Sequence, residues 1–176
     1  MINTSAILLR RLRLTETSLI VSLCSPDQGL IKTVAKGALR PKSPFAGRLD
    51  LFLTADIAYA ESRRSDLHIL REITVTSHRF GLRNSWSRVL AASYFVHLLE
   101  QVAERATPLP DHFALLTRAL DYLESHDPSL RAILHYEREL ARLLGIQSAR
   151  GDNALQALRD LFHVNPSHRE KLLQSL

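Results

Sequence analysis

A run of basic side chains between Asp27 and Asp50 is the part of the sequence best suited to binding chemistry. It contains no Asp or Glu, and its cations are Lys32, Lys36, Arg40, Lys42 and Arg48. Lys and Arg neutralise phosphate groups, Gly37 and Gly47 let the main chain approach a phosphate, and Phe45 offers a ring for base stacking. The spacing therefore predicts binding of a polyanion, with nucleic acid as the first candidate.

The net charge is distributed unevenly along the chain. Residues 1–85 hold 13 Lys and Arg against 7 Asp and Glu, a net charge of +6, whereas residues 86–176 hold 10 against 11, a net charge of −1. The positive field thus belongs to the N-terminal half, where it favours an anionic partner. A solvated, purely structural loop face is the alternative interpretation of the same charges.

No arrangement of side chains typical of catalysis is present. Residues 37–43 resemble a phosphate-binding loop only faintly, because the second glycine is missing and Pro41 removes a backbone donor. Cys24 is the single cysteine, which excludes an internal disulfide and a cysteine-type zinc site. We therefore expect no enzyme activity, no cofactor and no metal.

Neither a signal peptide nor a membrane span is predicted. Arg10, Arg11 and Arg13 lie inside the first apolar run, whereas the charges of a signal peptide precede its apolar segment. The sequence has no apolar run of about 18 residues, the length that a transmembrane helix needs. A cytoplasmic protein is the expectation.

The elements that must position the basic residues are strands. Apolar residues alternate over 49–59, from Leu49 to Tyr59, which predicts a half-buried strand with Phe52 on the opposite face. Similar patterns predict strands at 6–14, 19–23, 30–38 and 67–75. Turn residues at 25–29 and 62–66 join neighbouring strands into hairpins. Five short strands in under 80 residues indicate a small antiparallel barrel, and Arg10, Arg11 and Arg13 would extend its basic surface.

The pattern becomes helical from Leu82 onward. Residues 86–103 are apolar on nearly all sides, which predicts a central buried helix. A second helix follows, and Asp127 is the predicted N-cap of a third that ends at Gly145. The predicted fold class is therefore α+β, with a barrel domain over 1–80 and an all-helical domain over 81–176.

The basic run also carries a family resemblance. Residues 34–47 combine a Val-Ala-Lys-Gly core with basic residues, Pro, Lys-Ser, Phe and Gly, and they resemble the signature loop of the RecO family of bacterial recombination mediators. Residues 6–10 and 16–21 fit the same family. The resemblance covers about residues 1–147 and is strongest in the first 50.

The resemblance implies an OB-fold followed by a helical domain, without enzyme activity, in the bacterial cytoplasm at the nucleoid. RecO proteins bind single- and double-stranded DNA, anneal complementary strands and, with RecR, help to load RecA onto DNA coated with single-strand binding protein. Their helical domain binds the acidic, apolar C-terminal tail of that coating protein. Arg131, Arg138 and Arg142 are spaced seven and four apart, so they could share a helix face and meet a carboxylate.

The sequence departs from the family at one motif and leaves other functions open. Many members carry a four-cysteine zinc site after the third helix, and this chain lacks the cysteines. One alternative function is an adaptor whose barrel binds an acidic protein instead of DNA. Another is an RNA-binding barrel, because the same cations suit RNA.

Overall fold

The computed structural model describes residues 1–104, 107–146 and 154–176. It divides into a barrel unit, Met1–His78 with Glu104–Phe113, and a helical unit, Arg79–Ala103 with Ala114–Leu176. The strands of the barrel unit are β1 (Ile2–Arg13), β2 (Leu19–Ser25), β3 (Gly29–Ala35), β4 (Thr54–Ala60) and β5 (Leu67–Ser77).

The five strands close into a barrel in the order β1-β2-β3-β5-β4. Both predicted hairpins are present, because β2 pairs with β3 and β4 pairs with β5, each antiparallel. The pairing of β3 with β5 is parallel, which corrects the expectation of a wholly antiparallel barrel. Parallel neighbours need a crossover connection, and here β4 and its flanking loops provide it. This is the five-stranded arrangement of an OB-fold.

The predicted strand over 49–59 is wrong in its first half. The strand begins at Thr54, and Phe52 has a positive φ of 68°. Leu8 N–H donates to Leu53 O and Phe52 N–H donates to Leu8 O, so the irregular segment follows β1 by its own hydrogen bonds. Phe52 and Leu53 are both buried on this bend, and Leu53 belongs to the hydrophobic core of the barrel. The apolar alternation therefore reflects burial by a bent segment and not an extended strand.

The helical unit begins with a 3₁₀ turn, Phe80–Asn84. Its helices are α1 (Trp86–Val102), α3 (Leu130–Leu143), α4 (Ala154–Phe162) and α5 (Arg169–Gln174), together with α2 (Pro110–Ser125), whose first residues belong to the barrel unit. The predicted central helix is confirmed, because α1 buries residues on most of its sides. In the part of the chain that the structure describes, no helix is both long enough and apolar enough to cross a membrane.

The ends of α3 differ in how well the sequence predicted them. Ser129 caps its N-terminus by accepting from Ala132 N–H, so the prediction of Asp127 as N-cap is wrong. The carboxylate of Asp127 instead accepts from Arg88 Nε at 2.7 Å, a tertiary partner that a local pattern cannot show. The predicted stop at Gly145 is confirmed. Its φ is 74°, and Ile146 N–H donates to Ala141 O as in a Schellman motif.

A buried polar cluster joins three helices of this unit. Glu137 of α3 is 1 % exposed, and its carboxylate accepts from Tyr94 Oη and from Arg169 Nε, both at 2.7 Å. Burial and the neighbouring carboxylate raise the pKa of Tyr94, so its hydroxyl stays protonated and donates. The bond to Glu137 also raises the pKa of Arg169. The cluster connects α1, α3 and α5.

Candidate nucleic-acid interface

The basic loop, residues 36–48, leaves β3 as a series of tight turns. Backbone bonds three residues apart run from Arg40 N–H to Gly37 O, from Ser43 to Arg40, and from Ala46 to Ser43, at 3.1 Å each. Leu39 N–H also donates to Thr17 O in the β1–β2 connection at 2.9 Å. Gly37 and Gly47, with φ of 69° and 70°, supply the left-handed positions that such turns need. The loop is therefore a series of hydrogen-bonded turns at one end of the barrel.

The side chains of the basic loop separate into two groups. Ala38, Phe45 and the following Leu49 belong to the hydrophobic core of the barrel. Because these anchors point inward, the charged positions between them face solvent. The exposed cations are Lys36, Arg40, Lys42 and Arg48. Core packing thus forces the positive charges of this loop onto its outer surface.

Phe45 does not offer the exposed ring that the sequence predicted. It is 6 % exposed and packs in the barrel core. A ring buried on both faces cannot stack on a base, so the predicted stacking role is corrected to a packing role. The physical reason is that burial of an apolar side chain fixes the loop against the barrel, and Phe45 is the only aromatic residue of the loop.

The arginines of β1 divide between two faces. Arg10 pairs with Ser22, which pairs with Lys32, so Arg10 and Lys32 share the outer face of three strands. Arg11 and Arg13 alternate to the other side. Arg11 donates to Leu49 O at 2.9 Å, and its guanidinium lies 3.7 Å from Asp50. Arg13 donates to Thr15 O and Glu16 O, both at 3.2 Å.

These positions place the cations in two groups. One group, at the end of the barrel, combines the basic loop with Arg11 and Arg13, although Arg48 also donates to Ile73 O at 3.4 Å. The other group lies along the side, where Arg10 and Lys32 share a face. Arg11, Arg13 and Arg48 therefore also hold backbone in place, and Lys36, Arg40 and Lys42 are the other exposed cations of this group.

Two further cations were missed by sequence reasoning. Arg63 and Arg64 are exposed in the β4–β5 loop, which ends at Leu67, the register partner of Lys32. OB-folds bind nucleic acid with the face of strands 2 and 3 and with the loops β1–β2 and β4–β5. The residue pattern at 62–66 predicts only a turn. The signal that could have identified the arginines is that a closed OB-fold brings this loop beside Lys32.

A second candidate site is a groove between α2 and α3 in the helical unit. Its cavity volume is about 740 Å³. Apolar side chains line it, including Leu115, Phe95 and Tyr136, and Arg118, Arg131 and Arg138 lie around them. An apolar groove surrounded by guanidinium groups suits a peptide with apolar side chains and a carboxylate.

Arg142 does not line this groove, which separates it from the other two predicted arginines. Its guanidinium lies 3.0 Å from the carboxylate of Glu139, a residue that does line the groove. A helix rises about 6 Å over four residues, so Arg142 lies a full turn beyond Arg138 along the axis. Arg142 therefore neutralises the carboxylate of Glu139 in the groove wall and does not itself line the groove.

A closed five-stranded barrel with an exposed basic loop, followed by a helical unit, defines an OB-fold protein with an added helical domain. Residues 1–79 match the family model "Recombination protein O N terminal" and residues 83–149 match "Recombination protein O C terminal". The chain belongs to the RecO family.

Curated relatives support the same assignment. The chain is 38 % identical over 122 residues to "DNA repair protein RecO" of Synechococcus elongatus, covering 69 % of this chain and 45 % of the relative. It is 31 % identical over 140 residues to the protein of that name from Rhodopirellula baltica, covering 80 % and 52 %. It is 28 % identical over 169 residues to the protein of that name from Salinibacter ruber, which covers 90 % of this chain and 65 % of the relative. The chain spans about half the length of the first two relatives.

Proposed function

We propose that this protein binds DNA through its barrel unit and acts in DNA repair and recombination. The observation that carries the proposal is the basic loop, whose apolar anchors turn Lys36, Arg40 and Lys42 outward together. The relatives named DNA repair protein RecO support the same role. Residues 1–80 would be the nucleic-acid-binding domain, and 81–176 the helical domain.

The proposed mechanism follows from the exposed cations of the barrel segment, residues 1–78, whose aromatic rings are all buried. Lys and Arg side chains replace the counterions of phosphates, so affinity depends steeply on salt and little on sequence. The bases of a strand held by its backbone stay accessible to a second strand. Two strands bound close together with their bases free can pair, which is annealing. This role needs no covalent chemistry, so the protein is proposed to work without enzyme activity.

The partners proposed with this role are proteins of recombination. With RecR, the protein would help to load RecA onto DNA coated with single-strand binding protein, in the bacterial cytoplasm. The groove between α2 and α3 is the proposed site for the C-terminal tail of the coating protein. Its apolar floor suits the apolar end of the tail, and Arg131 and Arg138 suit the carboxylates.

The DNA proposal is tested by changing Lys36, Arg40 and Lys42 together to Ala. We expect affinity for a labelled single strand to fall by about 10- to 100-fold at low salt, with annealing of complementary strands reduced in parallel. The matched control is Arg159→Ala with Lys171→Ala, which removes exposed cations from the helical unit. Unchanged affinity in the triple variant, or an equal loss in the control, rejects the loop as the site. Competition by RNA of matched sequence tests the RNA-binding alternative.

The peptide proposal is tested with a labelled tail peptide. Arg131→Glu with Arg138→Glu places carboxylates in the groove and is expected to abolish measurable binding. Arg159→Ala is the internal control, because Arg159 is an exposed arginine of α4 that does not line the groove, and it is expected to change affinity by less than about threefold. Binding that survives the double change contradicts the groove as the site.

A further inference from the structure

The aromatic rings of the barrel strands and their loops, residues 1–78, are hidden from solvent. Phe45, Phe52 and Tyr59 are 6 %, 6 % and 2 % exposed, and they are the only Phe, Tyr or Trp residues of this segment. The segment can therefore contact phosphates but exposes no such ring on which a base can stack. Stacking on aromatic side chains is otherwise the usual second component of single-strand binding.

Two large rings are exposed instead at the start of the helical unit. Trp86 is 71 % exposed and Phe80 is 66 % exposed. Tyr122, also partly exposed, is already stacked on His126 with ring centroids 4.7 Å apart. Phe80 and Trp86 are thus the most exposed aromatic side chains in the described part of the chain, and they lie six residues apart.

The turn that carries these rings is held firmly. Leu82, between them, is 2 % exposed and anchors the turn in the unit. A Cβ atom at Gly81 would overlap the carbonyl oxygen of Glu124, so only glycine allows this close approach. Arg88 Nη1 donates to Gly81 O at 3.3 Å and to Glu124 O at 2.9 Å. Phe80 therefore lies on a firmly held turn, and Trp86 is the first residue of α1, so neither exposed ring belongs to a loose chain end.

The chain segment that carries the turn contains no acidic residue of its own. No Asp or Glu occurs between Glu72 and Glu100. The carboxylates of Asp121 and Asp127 are each bonded at 2.7 Å by an arginine, Asp121 by Arg79 Nε and Asp127 by Arg88 Nε. Glu124, whose side chain lies against Gly81, adds one more carboxylate beside the turn. Arg83 and Asn84, exposed between the rings, add a cation for phosphate and an amide for base edges.

We propose that Phe80 and Trp86 form a base-stacking site for single-stranded DNA. This inference rests on the proposed DNA-binding function and adds what the barrel lacks. The bases of a duplex are stacked on one another and cannot reach the rings, so the site distinguishes single strands from duplexes. It would hold unpaired bases of a strand whose phosphates are bound by Lys and Arg side chains.

The test uses Trp86 as its own probe, because it is the only tryptophan of the chain. Short oligo(dT) is added to the protein while tryptophan emission is measured, and the anisotropy of labelled DNA is followed separately. We expect oligo(dT) to quench Trp86 emission and duplex DNA of the same length to quench it far less. Phe80→Ala and Trp86→Ala should each lower single-strand affinity by roughly 5- to 100-fold. Trp86→Phe, which keeps a ring, should restore most of the affinity.

The control variant is Leu161→Ala, which removes a similarly exposed apolar side chain from α4 and should bind as wild type. DNA binding by anisotropy with unchanged Trp86 emission, and with full affinity in both ring variants, overturns the stacking site and leaves the barrel function intact. The exposed rings would then be a contact for a protein. Wild-type protein that binds no DNA at all overturns the proposed function, and the stacking site with it.

Discussion

In the barrel the cations of the basic loop are exposed and the rings of residues 1–78 are buried, whereas the helical unit buries a charged cluster and exposes aromatic rings. Lys36, Arg40 and Lys42 face solvent above a core that includes Phe45. In the helical unit, Glu137 is buried with Arg169 bonded to it, while Phe80 and Trp86 are exposed. The same residue types are thus buried in one unit and exposed in the other.

The difference teaches which substitutions act on folding and which act on binding. Removing an exposed cation of the barrel costs little stability, because surface charges contribute little to it. Removing a buried charge of the helical unit leaves its partner unpaired in a low-dielectric interior.

The largest expected effect is at Phe45. Phe45→Ala should lower the free energy of unfolding by about 3–5 kcal/mol, because it opens a cavity in the barrel core. Chemical denaturation measures the change. Phe45→Leu, which keeps most of the apolar volume, should cost much less. A Phe45→Ala variant with wild-type stability and weakened DNA binding would show instead that the ring stacks on bases.

Arg169 tests the role of the buried charged cluster in the helical unit. Arg169→Met keeps the apolar stem but leaves the carboxylate of Glu137 buried without its cation, which should cost about 3 kcal/mol of unfolding free energy. The double variant with Glu137→Leu should recover part of this loss, because it removes the unpaired charge. DNA affinity of the folded protein should stay unchanged. A wild-type denaturation midpoint for Arg169→Met would contradict the assigned role of the cluster.

A smaller effect is expected at Tyr94, whose hydroxyl donates to the same carboxylate at 2.7 Å. Tyr94→Phe should lower the free energy of unfolding by about 1–2 kcal/mol, because Glu137 loses one of its donors. Thermal unfolding provides the measurement, with Tyr122→Phe as the control on an exposed ring. Equal stability of Tyr94→Phe and wild type would indicate that Arg169 alone satisfies Glu137.

The smallest effect is a pH dependence at His112 of the barrel unit. Its Nε2 is buried without a hydrogen-bond partner, and burial lowers the pKa of its ring below the ordinary 6.5, against a smaller opposing effect of Asp111. As the pH falls from about 7 to about 5, the unfolded chain gains a proton that the folded ring resists, so stability falls.

His112→Leu should remove this contribution. The stability of the variant relative to wild type should therefore rise as the pH falls across that range, because the variant has no ring whose folded-state pKa is lowered. Urea denaturation at both pH values measures the gain. A stability difference between variant and wild type that does not change with pH would show that the ring titrates normally.

The sequence predicted much of the fold because period and turn chemistry are local signals. The hairpins and the glycine-dependent turns are decided by neighbours in sequence, as the stop of α3 at Gly145 illustrates. The errors occur where a distant partner decides. The backbone of Phe52 is hydrogen-bonded to Leu8 of β1, which lies 44 residues earlier in the chain. Asp127 accepts a hydrogen bond from Arg88 and does not cap α3.

The candidate sites show the same limit. The charges of the basic loop could be predicted, since no acidic residue in 28–49 opposes them. That Phe45 points inward could not, because a lone ring in a basic loop fits a core anchor as well as a stacking ring. Helical spacing placed Arg131, Arg138 and Arg142 on one face but gave no information on where the groove ends.

The central claim is that DNA binding depends on the exposed charge of the basic loop. It is tested most directly by the slope of log affinity against log salt concentration, for wild type and for the variant with Lys36, Arg40 and Lys42 changed to Ala. Each phosphate contact on a single strand contributes about 0.7 to this slope, so the variant should show a slope shallower by about 2 with wild-type stability. An unchanged slope would contradict the claim.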